Sequence, residues 1–273
     1  MASSSKYKLL ALDIDGTLVR NDRTISDTTR QTLLLAQQQG TRIVIASGRP
    51  AFGIAPLADQ LQLARYGGFV LSYNGAEIFD WQSGEAIYQK PLPTDIIPTV
   101  CSQCKSAGFY FMTYCGSTIV TETPLSPYIQ LSSKRNGMTI SAASSFLDAI
   151  QLPLFKIMIV GEPAALAEFE PRLNSVIAGR AVAFRSERFY LEVVPCGIDK
   201  ASCLGVILSR LGLTAASLMA CGDGYNDISM IQFAGMGVAM ENANEQVKQS
   251  ADYITLSNEA DGIAAVVRKF ILA

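Results

Sequence analysis

The chain has no histidine among its 273 residues. That absence removes imidazole from every catalytic and metal-binding role. Any general acid or base must then be a carboxylate, a lysine, a tyrosine or a thiol, and any metal site must offer oxygen or sulfur. An excess of charge is missing too. The balance of 22 Lys and Arg against 24 Asp and Glu leaves a net charge of -2, which gives no basic field for nucleic acid or an anionic membrane. No uncharged apolar run reaches the roughly 18 residues that a membrane-spanning helix requires. Residues 1–8 are polar, with no apolar region of signal-peptide type. The six cysteines form no framework, and the lone CxxC, Cys101 to Cys104, lacks the second pair a zinc site needs. A helical stretch rather than a strand precedes it, which argues against a redox motif. The thiols read as reduced residues of a cytoplasmic protein. Internal repeats and low-complexity segments are absent as well.

What is present is apolar material, 49% of the residues. The length is above the usual ceiling for one hydrophobic core, so two domains are expected. The organising stretch is Leu9-Leu10-Ala11-Leu12-Asp13-Ile14-Asp15-Gly16-Thr17. An apolar strand ends there in two aspartates one residue apart, and residues at i and i+2 leaving a strand point to the same side. Both carboxylates are therefore expected to face one spot beyond the strand's carboxyl end, where open α/β sheets place ligands. Taken alone, the stretch also has a lesser reading as an ordinary Asx-type turn.

Further strands and helices follow in alternation. Ser26 caps a helix over residues 28–39, and strands are expected over 41–46 and 69–72, with a hairpin turn at Asn74-Gly75. Continuous apolar strands between helices mark a buried parallel sheet. At Lys90-Pro91-Leu92-Pro93 the pattern changes to helix, two strands, helix, strand, helix, two strands, and Pro195-Cys196-Gly197 reads as the return linker. The expected architecture is α/β: a Rossmann-like, doubly wound parallel-sheet core formed by residues 1–90 and 195–273. An α+β cap domain, residues 91–194, is inserted into it. In the last third, Lys200 opens a helix, and an apolar strand runs into Gly222-Asp223-Gly224-Tyr225-Asn226-Asp227. Strands near residues 237–240 and 253–255 and a closing helix over 261–270 complete the core.

Four polar clusters thus stand at strand ends or a helix start: Asp13 with Asp15, Ser47-Gly48-Arg49, Lys200, and Asp223 with Asn226 and Asp227. In a parallel sheet these ends share one edge and converge. Like charges about 4 Å apart repel by on the order of 4 kcal/mol at an effective dielectric of ~20. Lys200 alone does not offset three carboxylates. A divalent cation would, and with only carboxylate and carbonyl oxygens on offer a hard ion such as Mg²⁺ fits best. A cation and a lysine beside Ser47 and the Gly48 amide then suit a phosphoryl group.

This set, in this order and over essentially the whole chain, resembles the haloacid dehalogenase (HAD) superfamily of phosphotransferases. The insertion resembles the large cap of its Cof-like sugar-phosphate phosphatases, as do Asn74-Gly75-Ala76, residues 237–243 and Asp261-Gly262. Glu241 stands where glycine is common in that family, with no catalytic consequence expected. The resemblance implies that Asp13 attacks phosphorus and that Asp15 is the general acid and base. It implies that Ser47, Gly48, Lys200 and Asn226 hold phosphoryl oxygens. Mg²⁺ would be bound by Asp13, the Asp15 main-chain carbonyl and Asp223, with Asp227 in support. The expected partner is a small phosphorylated metabolite, with neither nucleic acid nor a membrane involved. Two other readings remain open at this point: a phosphomutase, and a catalytically silent sensor of a phosphorylated metabolite. Tyr114, Arg185, Arg188 and Tyr190 are the cap side chains that could reach a sugar or lie in solvent. Nothing in the pattern specifies a substrate or an oligomeric state.

Overall fold

The computed structural model describes residues 5–273, so the start of the polar N-terminal stretch, residues 1–4, lies outside the described residues. The chain divides into two compact units, Met1–Tyr88 with Asp199–Ala273, and Gln89–Ile198.

The first unit is built on β1 (Leu9–Leu12), all four residues of which are buried. Its alternate side chains feed two different cores. Leu10 and Leu12 pack on one face with Ile43, Ile45, Met219 and Cys221. Leu9 and Ala11 pack on the other with Val44, Ala46, Leu218 and Ala220. A strand apolar on both faces is one that helices cover on both sides. Here the helices Asp27–Gln38, Ala51–Gln60 and Gly262–Phe270 cover the first face, and Lys200–Leu211 covers the second.

The remaining strands of this sheet are β2 (Arg42–Ala46), β3 (Phe69–Ser72), β4 (Glu77–Asp80), β5 (Glu85–Gln89), β12 (Leu218–Gly222), β13 (Met236–Ala239) and β14 (Tyr253–Ile254). They form an eight-stranded sheet in the order β14-β13-β12-β1-β2-β3-β4-β5. β1 is parallel to both β2 and β12, and β2–β3, β12–β13 and β13–β14 are parallel as well. The hairpin strand β4 runs antiparallel to its neighbour β3. The winding leaves β1 in one direction through β2 and β3 and in the other through β12 and β13. The carboxyl ends of β1 and β12 therefore flank the point where strand order reverses, the usual ligand crevice of such a sheet.

The doubly wound parallel sheet matches the sequence reading. Helix Ala51–Gln60 was not part of that reading, because Pro56 inside it interrupts the pattern that marks a helix.

The second unit holds β6 (Tyr110–Cys115), β7 (Thr118–Thr121), β8 (Thr139–Ala142), β9 (Ile157–Val160), β10 (Ala181–Glu187) and β11 (Tyr190–Pro195), in the order β10-β11-β9-β6-β7-β8. Phe111, Ile157, Ile159, Leu191 and Val193 pack with Val100, Leu166, Phe169 and Leu173 of helices Ile97–Ser106 and Pro163–Ile177. Helix Pro127–Asn136 meets Tyr114, whose hydroxyl lies 3.0 Å from Ser132 Oγ. β8 and a short helix, Phe146–Ala149, add to the expected order. β8 is an edge strand parallel to β7 and largely exposed, so it lacks the apolar alternation that announces a strand. The cysteines of the CxxC lie buried in helix Ile97–Ser106, and burial pushes the Cys101 thiol up to about 12. No helix among the described residues is long and apolar enough to cross a membrane.

Candidate active site

β1 delivers Asp13 to the crevice, and its backbone N–H donates to the Cys221 carbonyl of β12 at 3.1 Å. The helix beginning at Lys200 is capped by Asp199, whose side chain accepts from Ser202 N–H. That cap fixes where the first helical residue projects. Lys200 is fully buried, with Nζ 2.6 Å from Asp13 Oδ1 and 2.5 Å from Asp227 Oδ1. Asp227 is equally buried, and its Oδ2 accepts from the N–H groups of Asp223 and Gly224 at 3.0 and 2.9 Å. It thus shapes the loop after β12 as well as countering Lys200. Asp223 is half-buried and accepts from Thr17 Oγ1 at 2.7 Å.

Three carboxylates converge here. One oxygen each from Asp13, Asp223 and Asp227 lies within 4.8 Å of the others. Burial, with repulsion from Asp227, pushes Asp13 up to about 8 against the pull of Lys200. Burial likewise pushes Asp223 up to about 6, opposed by the Thr17 hydrogen bond. Burial pulls Lys200 down, but the two carboxylates and their hydrogen bonds outweigh it and hold the ammonium above its usual value. The protein alone thus leaves negative charge uncompensated at this spot. An all-oxygen donor set with excess negative charge fits a hard divalent cation.

Gly16 lets this loop close up. Its φ is +81°, and a Cβ there would fall 2.3 Å from Asp223 Oδ2. Only glycine accepts both constraints.

Asp15 does not join the three. The strand ends at Leu12, so the two-residue alternation no longer governs Asp15, and its side chain is 58% exposed. It is gripped instead by Arg49, with Nε 2.9 Å from Oδ2 and Nη2 2.5 Å from Oδ1. It remains beside the cluster, near enough for its charge to raise Asp223. Ser47 is buried at the end of β2, where its Oγ accepts from Arg49 N–H at 3.2 Å. Gly48 follows it, and Asn226 Nδ2 donates to Asn74 Oδ1 at 3.0 Å.

Three participants had no role in the sequence reading: Arg49 as the partner of Asp15, Asn74, and Asn242, which donates to the Gly16 carbonyl at 2.8 Å. The signal for each was a polar residue just beyond an apolar strand. Two cap candidates are withdrawn. Tyr114 and Tyr190 are buried within their own unit, and the Tyr190 hydroxyl donates to the Tyr128 carbonyl at 2.7 Å. Arg185 pairs with Glu170 at 2.7 Å, and Arg188 is exposed.

The sequence profile of the haloacid dehalogenase-like hydrolases matches residues 10–267. The chain belongs to that family. It is accordingly an enzyme of the HAD hydrolase and phosphatase group. A Bacillus subtilis 5-amino-6-(5-phospho-D-ribitylamino)uracil phosphatase, YcsE, is 31% identical, the match covering 97% of this chain and 96% of YcsE. The crystal structure of a haloacid dehalogenase-like hydrolase from Bacteroides thetaiotaomicron superposes with a TM-score of 0.94 at 48% identity, covering 96% of this chain and 99% of that one. The HAD subclass IIB sugar phosphatase BT4131 superposes with a TM-score of 0.82 at 27% identity, covering 96% and 98%.

Proposed function

We propose that this enzyme is a Mg²⁺-dependent phosphatase of small phosphomonoesters, sugar phosphates among them, and that Asp13 is its nucleophile. The observation that carries the reading is the buried Lys200 ammonium held between Asp13 and Asp227. It fixes one oxygen of Asp13 at the crevice and leaves the other to react. In the first step that oxygen forms a bond to phosphorus while the ester P–O bond breaks, and Asp15 gives a proton to the leaving oxygen. In the second, water attacks the aspartyl phosphate, Asp15 takes its proton, and inorganic phosphate leaves with the Asp13 carboxylate restored. Ser47, the Gly48 amide, Lys200 and Asn226 hold the phosphoryl oxygens. Arg49 orients Asp15. Mg²⁺, held by Asp13, the Asp15 main-chain carbonyl and Asp223 with Asp227 in support, would supply positive charge against the carboxylate and the phosphoryl oxygens.

The unit Gln89–Ile198 contains none of these groups, so we assign it the part of a cap that selects among leaving groups. Asp15 argues against dehalogenation, in which no leaving oxygen needs a proton. The test is a panel of phosphorylated metabolites assayed for inorganic phosphate with and without Mg²⁺. Phosphate accumulation supports hydrolysis. Isomerised product without phosphate release would indicate a phosphomutase, and tight binding without turnover a sensor.

A further inference from the structure

The turn after β3 is built at a conformational cost that a plain hairpin does not require. Tyr73, Asn74 and Gly75 have φ of 52°, 58° and 111° in succession. Asparagine and glycine enter this region readily, but a tyrosine does not. Non-glycine residues held there cost on the order of 1–3 kcal/mol each and persist where their surroundings determine them.

The surroundings here are the loops of the phosphoryl site. Tyr73 N–H donates to the Arg49 carbonyl at 3.1 Å and Asn74 N–H to the Ser47 carbonyl at 2.9 Å. On the other side, Cys203 Sγ donates to the Gly75 carbonyl at 2.9 Å, from the helix that begins at Lys200. The Asn74 side chain completes the link. It is buried, its Oδ1 accepts from Asn226 Nδ2, and its amide occupies the space beside Gly48, where a Cβ would come within 3.2 Å of Nδ2.

We propose that Asn74 is a positioning residue of the phosphoryl site. Its backbone holds the Ser47-Gly48 loop and its side-chain amide holds Asn226, so that two loops from distant parts of the chain present their donors together. The proposal rests on the phosphatase reading above, in which Ser47, Gly48 and Asn226 grip the phosphoryl group. The simpler role for Asn74 is that of a turn-former. Glycine would fill that role equally well, so Asn74→Gly separates the two.

The experiment is steady-state hydrolysis of para-nitrophenyl phosphate with Mg²⁺ by wild type, Asn74→Gly, Asn226→Ala and the double variant. Thermal midpoints and inhibition by inorganic phosphate are measured alongside. Loss of the positioning hydrogen bond should raise KM and the phosphate inhibition constant roughly tenfold with kcat little changed, since a grip shared by ground and transition states acts on KM. A merely structural defect would instead lower the active fraction, reducing apparent kcat with KM constant. Because Asn74 acts through Asn226, the double variant should be no worse than Asn226→Ala alone. Wild-type kinetics in Asn74→Gly, multiplicative effects in the double variant, or a loss confined to kcat would each overturn the proposal while wild type remains active. A wild type that releases no phosphate from any ester would overturn the phosphatase reading itself, and this inference with it.

Discussion

Lys200 Nζ lies 2.6 Å from Asp13 Oδ1 in a setting that excludes solvent from the ammonium entirely. A charged hydrogen bond of this kind fixes the carboxylate and keeps one oxygen from rotating away. It follows that chemistry and folding are separable at Asp13 but not at Lys200. Asp13→Asn preserves shape and removes the nucleophile, so kcat should fall by roughly four orders of magnitude, ~5.5 kcal/mol of barrier. Thermal unfolding should remain cooperative. Lys200→Ala leaves buried Asp13 and Asp227 unopposed, and breaking such an arrangement costs about 3–5 kcal/mol. Denaturant titration would then show a large loss of stability alongside the loss of activity. An Asp13→Asn enzyme that kept a tenth of wild-type turnover would sink the aspartyl-phosphate mechanism.

The raised carboxyls give the metal-free protein an unusual pH dependence. Asp13 near 8 and Asp223 near 6 in the folded state compare with an ordinary 3.8 for each. The folded chain therefore binds more protons than the unfolded one between about pH 4 and 8, and stability falls as pH rises through that range. Carboxylates held below their usual range, Asp95 and Asp261 among them, contribute stability that is lost only in acid, outside this window. With no histidine in the chain, no side chain of ordinary pKa titrates between about pH 5.5 and 7.5. In EDTA the thermal midpoint should fall between about pH 5.5 and 8.5. A divalent cation needs the ionised carboxylates, so the midpoint shift on adding Mg²⁺ should widen as pH rises. A shift equal at both ends of the range would contradict the assigned ligands.

How far the site can be read in the sequence depends on whether a residue acts through local pattern or through a distant partner. Asp13, Ser47 and Asp223 each follow an apolar strand, and a parallel sheet brings such ends to one edge whatever the details of packing. The helix at Lys200 is marked by its Asp199 cap. Asp15 follows the same strand end, but its Arg49 partner lies 34 positions away and is not readable from the local pattern. Asn74 and Asn242 each stand beyond an apolar strand, but that position does not name their partners, which lie 152 and 226 positions away. The same holds in the second unit. The exposed edge strand β8 lacks apolar alternation, and the burial of Tyr114 and Tyr190 depends on helix Pro127–Asn136 folding back over them.

Arg49 grips Asp15 through two nitrogens, and its own side chain is only 16% exposed. A planar fork of this kind cannot be reproduced by an ammonium. Arg49→Lys should therefore lower kcat roughly tenfold by loosening the proton donor, the scale of one lost charge-assisted hydrogen bond. The loss should shrink for esters with good leaving groups such as para-nitrophenol, which need less protonation. Equal losses for alkyl and aryl esters would place Arg49 outside proton transfer.

Asn242 reaches Gly16 across 226 positions, and its neighbour in space, Asn258, extends the same support. Asn242 Nδ2 donates to the Gly16 carbonyl, and its Oδ1 accepts from Asn258 N–H at 3.0 Å. Asn258 Nδ2 in turn donates to the Val19 carbonyl at 3.0 Å. The two asparagines brace one loop at two depths. Asn242 is exposed and acts on the peptide joining Gly16 to Thr17, whose hydroxyl is bonded to Asp223. Asn258 is buried and acts further along, where its loss would leave a carbonyl unpaired away from water. Their substitutions should therefore separate. Asn242→Ala should leave the thermal midpoint within a few degrees of wild type, since an exposed hydrogen bond contributes at most about 1 kcal/mol. Its kcat should nevertheless drop roughly tenfold, because a small displacement at Thr17 moves Asp223 relative to Asp13. Asn258→Ala should do the reverse, costing about 1–3 kcal/mol of stability with kcat per folded molecule near wild type. Parallel losses of stability and rate in both variants would mean that the loop responds as a single unit and that Asn242 has no particular hold on the catalytic edge.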